Sequence, residues 1–253
     1  MLRKRLIVSL LIDNEQHLVN TEKFEKRKYL GDPLNAAYIF SHYEVDELLV
    51  LDIDASKNSR SISYEFVKAL SNFTTVPLSV GGGIKNVGEI KDLLSFGVEK
   101  VVIGENLRED FKFLKEASNK FGSSSISAIL NINKLRSGNY EIFCGKNKIL
   151  NRDIINFACE CQDAGAGELI INQIDRDGKK NGFDVELMRS LNSELNIPLV
   201  VLGGCGSTND IKEVISKTNI SGIACSTIFV YAFGTKNVLL KYSEIKDKIN
   251  SHL

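Results

Sequence analysis

The stretch Ile197–Ser207, IPLVVLGGCGS, runs a proline-led apolar strand straight into a cluster of glycines, and Val76–Asn86, VPLSVGGGIKN, says nearly the same thing earlier in the chain. The two copies keep one spacing: Pro77 and Pro198, Gly82 and Gly203, and Gly83 and Gly204 each stand 121 residues apart. Other segments share that offset. DELLVLDID (Asp46–Asp54) falls over GELIINQID (Gly167–Asp175), with Glu47 over Glu168, and KVVIGE (Lys100–Glu105) falls over SGIACS (Ser221–Ser226). Matches at a constant spacing along both halves of a chain argue for an internal duplication.

Each half holds short, β-branched apolar runs separated by helix-length polar segments. Strands are expected near 5–11, 47–53, 77–81, 99–103, 125–131, 167–173, 198–203 and 221–226. Between them lie amphipathic helix candidates such as DPLNAAYIFSHY, VGEIKDLLSFG and NVLLKYSEIKDKI. Alternating β and α segments with near-continuous apolar strands imply a parallel sheet covered on both faces. Eight units in two halves of four imply an α/β protein, a single closed (β/α)8 TIM barrel, with half-barrels of about 1–122 and 123–253. No Pro, Gly or Ser-rich linker divides the halves, so one domain is expected. NKLRSGNYEIFCGKNKI, after the fifth strand, reads as a hairpin inserted into a loop.

Composition narrows the function. Lys plus Arg and Asp plus Glu balance at 32 each in 253 residues, which leaves no global electrostatic footprint for nucleic acid. The longest apolar runs are too short to span a bilayer, and no signal-like segment opens the chain. The five cysteines match no zinc pattern; Cys159 and Cys161 sit two apart on a helix-like stretch. Reduced thiols, a cytoplasmic location, no metal and no redox cofactor are expected. His17, His42 and His252 share no spacing and read as surface residues.

In such barrels the loops after the strands form the active face. Glycine there lets backbone N–H groups approach an anion, and a following helix N-terminus favours negative charge. The second half supplies Asp177 and Gly178 after strand six, Gly203 and Gly204 after strand seven, and Ser226 after strand eight, a set suited to phosphate. The first half keeps Gly82 and Gly83 but carries Glu105 where Ser226 stands in the second. A carboxylate repels phosphate, so the first-half site is expected to be weakened or altered.

Arg5, GDP (Gly31–Pro33), SVGGGI, GAGELI, IDRDGKKNGFD and GGCGS together resemble the HisF-like cyclase subunits of imidazole glycerol phosphate synthase, end to end. The resemblance implies a glutamine amidotransferase subunit docked on the N-terminal end of the barrel, hydrolysing glutamine. Ammonia would cross the barrel to a two-phosphate substrate on the opposite face, closing an imidazole ring in histidine biosynthesis, a lyase-type cyclase reaction. The family's acid and base are aspartates on strands one and five, and the matching positions here are Leu11 and Asn131. Leucine cannot move a proton and asparagine has no useful acid or base function. Asp13, two residues on from Leu11, is the nearest substitute; a family lysine position corresponds to Asn20.

Arg5, Glu47, Lys100 and Glu168 stand just before the apolar cores of strands one, two, four and six, and match the family's ammonia gate. Charges this close to a dry interior are expected to pair in a closed ring. Two functions follow from the resemblance. One is an active cyclase subunit. The other is a diverged paralogue that keeps the glutaminase dock and ammonia conduit but delivers ammonia to a separate amidotransferase, as in amidino-sugar formation for surface polysaccharide. A sister sugar isomerase would need the same acid/base pair, and a ligand-free scaffold would leave IDRDG and Ser226 without a purpose.

Overall fold

The computed structural model describes residues 4–23, 26–107, 111–144, 148–150, 152–231 and 240–249. Eight parallel strands close on themselves: β1 (Arg5–Ile12), β4 (Glu47–Asp52), β5 (Leu78–Gly81), β6 (Lys100–Ile103), β7 (Ile126–Lys134), β10 (Glu168–Gln173), β11 (Leu199–Leu202) and β12 (Gly222–Cys225), which returns to β1. Between them run α1 (Pro33–His42), α2 (Tyr64–Phe73), α3 (Val87–Ser95), α4 (Lys112–Phe121), α5 (Ile154–Asp163), α6 (Val185–Glu194) and α7 (Thr208–Lys217). A single turn, α8 (Thr227–Val230), follows β12, and α9 (Ser243–Ile249) ends the described chain. The eight expected strands are all present. Of the stretch expected to be helical at the C-terminus, 237–249, residues 237–239 lie outside the described residues, and helix begins only at Ser243.

Strand parity explains why β1 reads RLIVSLLI. Leu6, Val8, Leu10 and Ile12 pack outward into the layer shared with the helices, while Ile7 and Leu11 join Leu49, Val102, Ile170 and Val200 in a separate cluster inside the barrel. Both faces of the sheet are covered, so neither can be polar.

The 121-residue offset persists in the helix caps. Ser63 caps α2 by accepting from Phe66 N, and Asp184 caps α6 by accepting from Leu187 N. Asn86 and Ser207 cap α3 and α7 in the same way, and the acids Glu89 and Asp210 reach back to the backbone N–H groups of Lys85 and Gly206.

Two additions sit on the face formed by the C-terminal strand ends. The expected insertion is β8 (Tyr140–Cys144) and β9 (Lys148–Leu150), which extend β7 antiparallel and lengthen it to Lys134. The second is a hairpin of β2 (Leu18–Glu22) and β3 (Lys26–Gly31), which pairs onto the end of β1 and was not evident in the sequence. Its second strand begins KRKY with four exposed residues, so it shows none of the apolar alternation that marks a strand.

Candidate functional site

The barrel has a charged floor, an apolar shaft and an open roof. At the floor, Arg5, Glu47, Lys100 and Glu168 occupy the first positions of β1, β4, β6 and β10. They close the expected ring. Arg5 pairs with Glu47 at 2.5 Å and with Glu168, and Lys100 pairs with Glu47 at 3.1 Å and Glu168 at 3.3 Å. Ser79 Oγ donates to Glu47 at 2.5 Å and Ser127 Oγ to Glu168 at 3.3 Å. Both glutamates are buried, while Arg5 and Lys100 keep partial contact with solvent. Burial opposes the charge on Arg5, but Glu168 and Glu47 outweigh it and raise its pKa. Lys100 makes the longer contacts of the ring.

Above the ring the interior is apolar except for Ser9. Its hydroxyl is buried without a hydrogen-bond partner among the described residues, and it borders the cavity above. An orphaned hydroxyl in such a place calls for explanation.

The roof is a cavity of about 620 Å³ at the C-terminal ends of the strands. It is lined by all seven residues expected to bind phosphate, Gly82, Gly83, Asp177, Gly178, Gly203, Gly204 and Ser226, and also by Leu11, Glu105 and Asn131. The four charged floor residues stand apart from it at the far end of the strands. Asp13 is not among the lining residues: its carboxylate accepts from the backbone N–H groups of Glu15 and His17 in the turn after β1. Asn131 does not stand alone, because its side-chain oxygen accepts from Asn172 Nδ2 at 2.8 Å. At the strand-one and strand-five positions the roof therefore presents a leucine and an amide pair.

The helix starts at the second-half end differ in what they leave open. Gly206 N and Ser207 N, just before α7, donate to Asp210 at 2.9 and 2.8 Å, and Asp210 N donates to Ser207 Oγ at 3.3 Å. The α8 turn is too short to sum an appreciable peptide dipole. Ser226, which precedes α8, has a buried Oγ with no partner among the described residues. Asp177 at this end accepts from Thr21 Oγ1 at 2.5 Å, which ties the IDRDG loop to β2. Asn20 is similarly tied, accepting from Thr227 Oγ1 at 3.2 Å, and the ammonium that lines the cavity from this hairpin is Lys23.

Four carboxylates line the cavity: Asp52, Glu105, Asp175 and Asp177. Asp52 is held by Arg60 at 2.5 and 3.1 Å and by the backbone N–H groups of Asp54 and Ala55. Asp54 beside it is bound by both Arg27 guanidinium nitrogens at 2.5 Å, and those hydrogen bonds hold its pKa below the usual carboxylate range. Glu105 has no hydrogen-bond or ion-pair partner among the described residues. Asp52, Lys23 and Asn172 were missed by sequence reasoning; only Asp52 carried a signal there, as an acid closing an apolar strand.

The profile of the family described as "Histidine biosynthesis protein" matches residues 5–233. A Leptospira interrogans protein provisionally named an imidazole glycerol phosphate synthase subunit HisF is 39% identical over 255 residues, covering 98% of each chain. A Pseudomonas aeruginosa protein, provisionally named subunit hisF2 of the same synthase, is 35% identical over 97% of this chain and 98% of its own. A Lactococcus lactis subsp. cremoris protein named imidazole glycerol phosphate synthase subunit HisF is 32% identical over 100% of this chain and 98% of its own. No helix among the described residues is long and apolar enough to cross a membrane.

Proposed function

Because the chain belongs to the histidine biosynthesis protein family, in its HisF-like branch, we propose that it is an ammonia-conducting subunit. It receives ammonia from a glutamine amidotransferase docked beneath its floor, and it holds a phosphorylated ligand under its roof. It does not close the imidazole ring through the two positions its relatives' resemblance points to. The ammonia is delivered to a separate amidotransferase.

The observation that carries this reading is the contrast between the two ends of the barrel. The floor ring is complete, with every charge paired. The roof positions are Leu11, buried and apolar, and Asn131, bonded to Asn172. An acid/base pair contributes typically 10²–10⁴-fold to rate, and neither side chain supplies it. The shaft favours a neutral passenger. Ammonium would have to leave its hydration behind to pass Ile7, Leu49 and Val200, whereas ammonia loses far less and can hydrogen-bond Ser9 on the way.

The test is direct. The purified chain, supplied with a glutaminase partner or with high ammonium and the two-phosphate cyclase substrate, is expected to leave that substrate unconverted while raising glutamine hydrolysis by the partner. Turnover on the order of 1 per second, ordinary for an enzyme, would return the chain to ring closure. Failure to stimulate or bind a glutaminase would remove the conduit.

A further inference from the structure

The two ends of the cavity are built on one frame but present opposite chemistry to a ligand. The glycine turns and the helix caps repeat at the 121-residue offset, so Glu105 and Ser226 occupy equivalent places at the two ends. The geometry points to a ligand with a phosphate at the Ser226 end only, whose other end carries hydroxyl or amine donors received by Glu105. The class is a phosphomonoester of a polyhydroxylated or amino-bearing compound rather than a bisphosphate. This inference rests on reading the second-half end as a phosphate site, and it deepens that reading.

At the Ser226 end a buried hydroxyl waits without a partner among the described residues and Lys23 lines the wall, while the Asp177 carboxylate there is engaged by Thr21 Oγ1. Lys179, next to Gly178, has its proton affinity lowered by its contact with Lys23, because two ammonium groups share one patch. At the Glu105 end the arrangement is reversed. The guanidinium on the loop leading to this end, Arg60, is already committed to Asp52. Lys57 lines this end as Lys23 lines the other, and both are exposed and screened alike, so the difference between the ends rests on Glu105 against Ser226. A phosphate dianion, the main form at neutral pH, has no proton to donate to a carboxylate, and the two anions repel. A hydroxyl or ammonium donates to the same carboxylate in a charge-assisted hydrogen bond.

Isothermal titration of the full chain with D-ribose 5-phosphate and with ribulose 1,5-bisphosphate, at one pH and ionic strength, tests this. The monophosphate is expected to bind at least tenfold more tightly, about 1.4 kcal/mol. Glu105→Ser should erase that preference by tightening the bisphosphate at least tenfold, and Glu105→Gln, which preserves shape, should move the ratio in the same direction. Ser226→Asp should abolish binding of the monophosphate. A wild-type chain that binds the bisphosphate as well as or better than the monophosphate overturns the inference. So does a ratio unchanged by both Glu105 substitutions while Ser226→Asp still abolishes binding; the phosphate end then survives. Retained binding in Ser226→Asp, or binding of neither probe, overturns the phosphate end as well.

Discussion

Gly83 and Gly204 turn the chain at φ +63° and +104°, and a Cβ built on them would lie 2.0 Å from the Arg60 carbonyl oxygen and 2.3 Å from that of Gly182. Those contacts are backbone against backbone, so no side chain can swing away to make room. The glycines are therefore demanded by the fold at both ends, whether or not anything binds. Gly83→Ala and Gly204→Ala should each cost about 1–3 kcal/mol from backbone strain alone, with the steric clash adding to it. Urea unfolding without ligand would show it as a lowered midpoint at unchanged slope. A loss of less than about 0.5 kcal/mol, the ordinary surface range, would mean these turns relax freely. It follows that repeated glycines mark the duplication reliably and the ligand poorly. The discriminating residues are Ser226 and Glu105, which is where the two halves of the sequence already differed.

Among the elements, the β7–β8 extension is fastened to α6 by one buried carboxylate. Asp184 caps α6, accepts from Lys134 Nζ and Tyr140 OH at 2.8 Å each, and its own N–H donates to Gln173 Oε1 at 3.1 Å. Burial alone would raise its pKa, but the bonds from Lys134, Tyr140 and Leu187 N hold it below the usual carboxylate range. Burial and Asp184 together push Tyr140 up to about 12. Because the folded pKa of Asp184 is depressed, its stabilisation is fully present above the unfolded value near 3.9 and is lost as pH falls through the folded value. Asp184→Asn should destabilise by about 3 kcal/mol at pH 7. Its deficit against wild type should shrink as unfolding is measured at successively lower pH below about 4. A deficit independent of pH would assign the loss to the cap alone.

This linkage also shows what the sequence could and could not disclose. The barrel strands were legible because both faces are buried and the apolar runs are unbroken. The insertion was legible from turn residues between two β-rich runs. The β2–β3 hairpin was not, because Lys26, Arg27, Lys28 and Tyr29 are exposed and polar in the main. The side-chain commitments were hidden too. Nothing in the order of residues says that Arg60 serves Asp52, that Asn172 meets Asn131, or that Ser9 is buried with no hydrogen-bond partner among the described residues.

Across the whole molecule, the floor ring joins four strands contributed by both halves, and its two cations are unequal. Arg5 reaches both glutamates closely, whereas Lys100 contacts Glu168 only at 3.3 and 3.4 Å. Removing Lys100 leaves each glutamate with Arg5; removing Arg5 leaves both on the weaker partner. Arg5→Met should therefore cost about 3–5 kcal/mol, as expected for breaking a buried pair, and Lys100→Met distinctly less. On the conduit proposed above, the lesser member is the one expected to swing aside and close again behind a small neutral molecule. In the full complex with glutaminase and the ammonia-accepting enzyme, amide-¹⁵N glutamine should label the product even against excess unlabelled ammonium in solution. With Lys100→Met the floor no longer shuts, and that label should be diluted several-fold at an unchanged rate of glutamine hydrolysis. Undiminished label in a folded Lys100→Met complex would show that the ring seals the barrel as a structural plug, and that ammonia reaches its acceptor by another route.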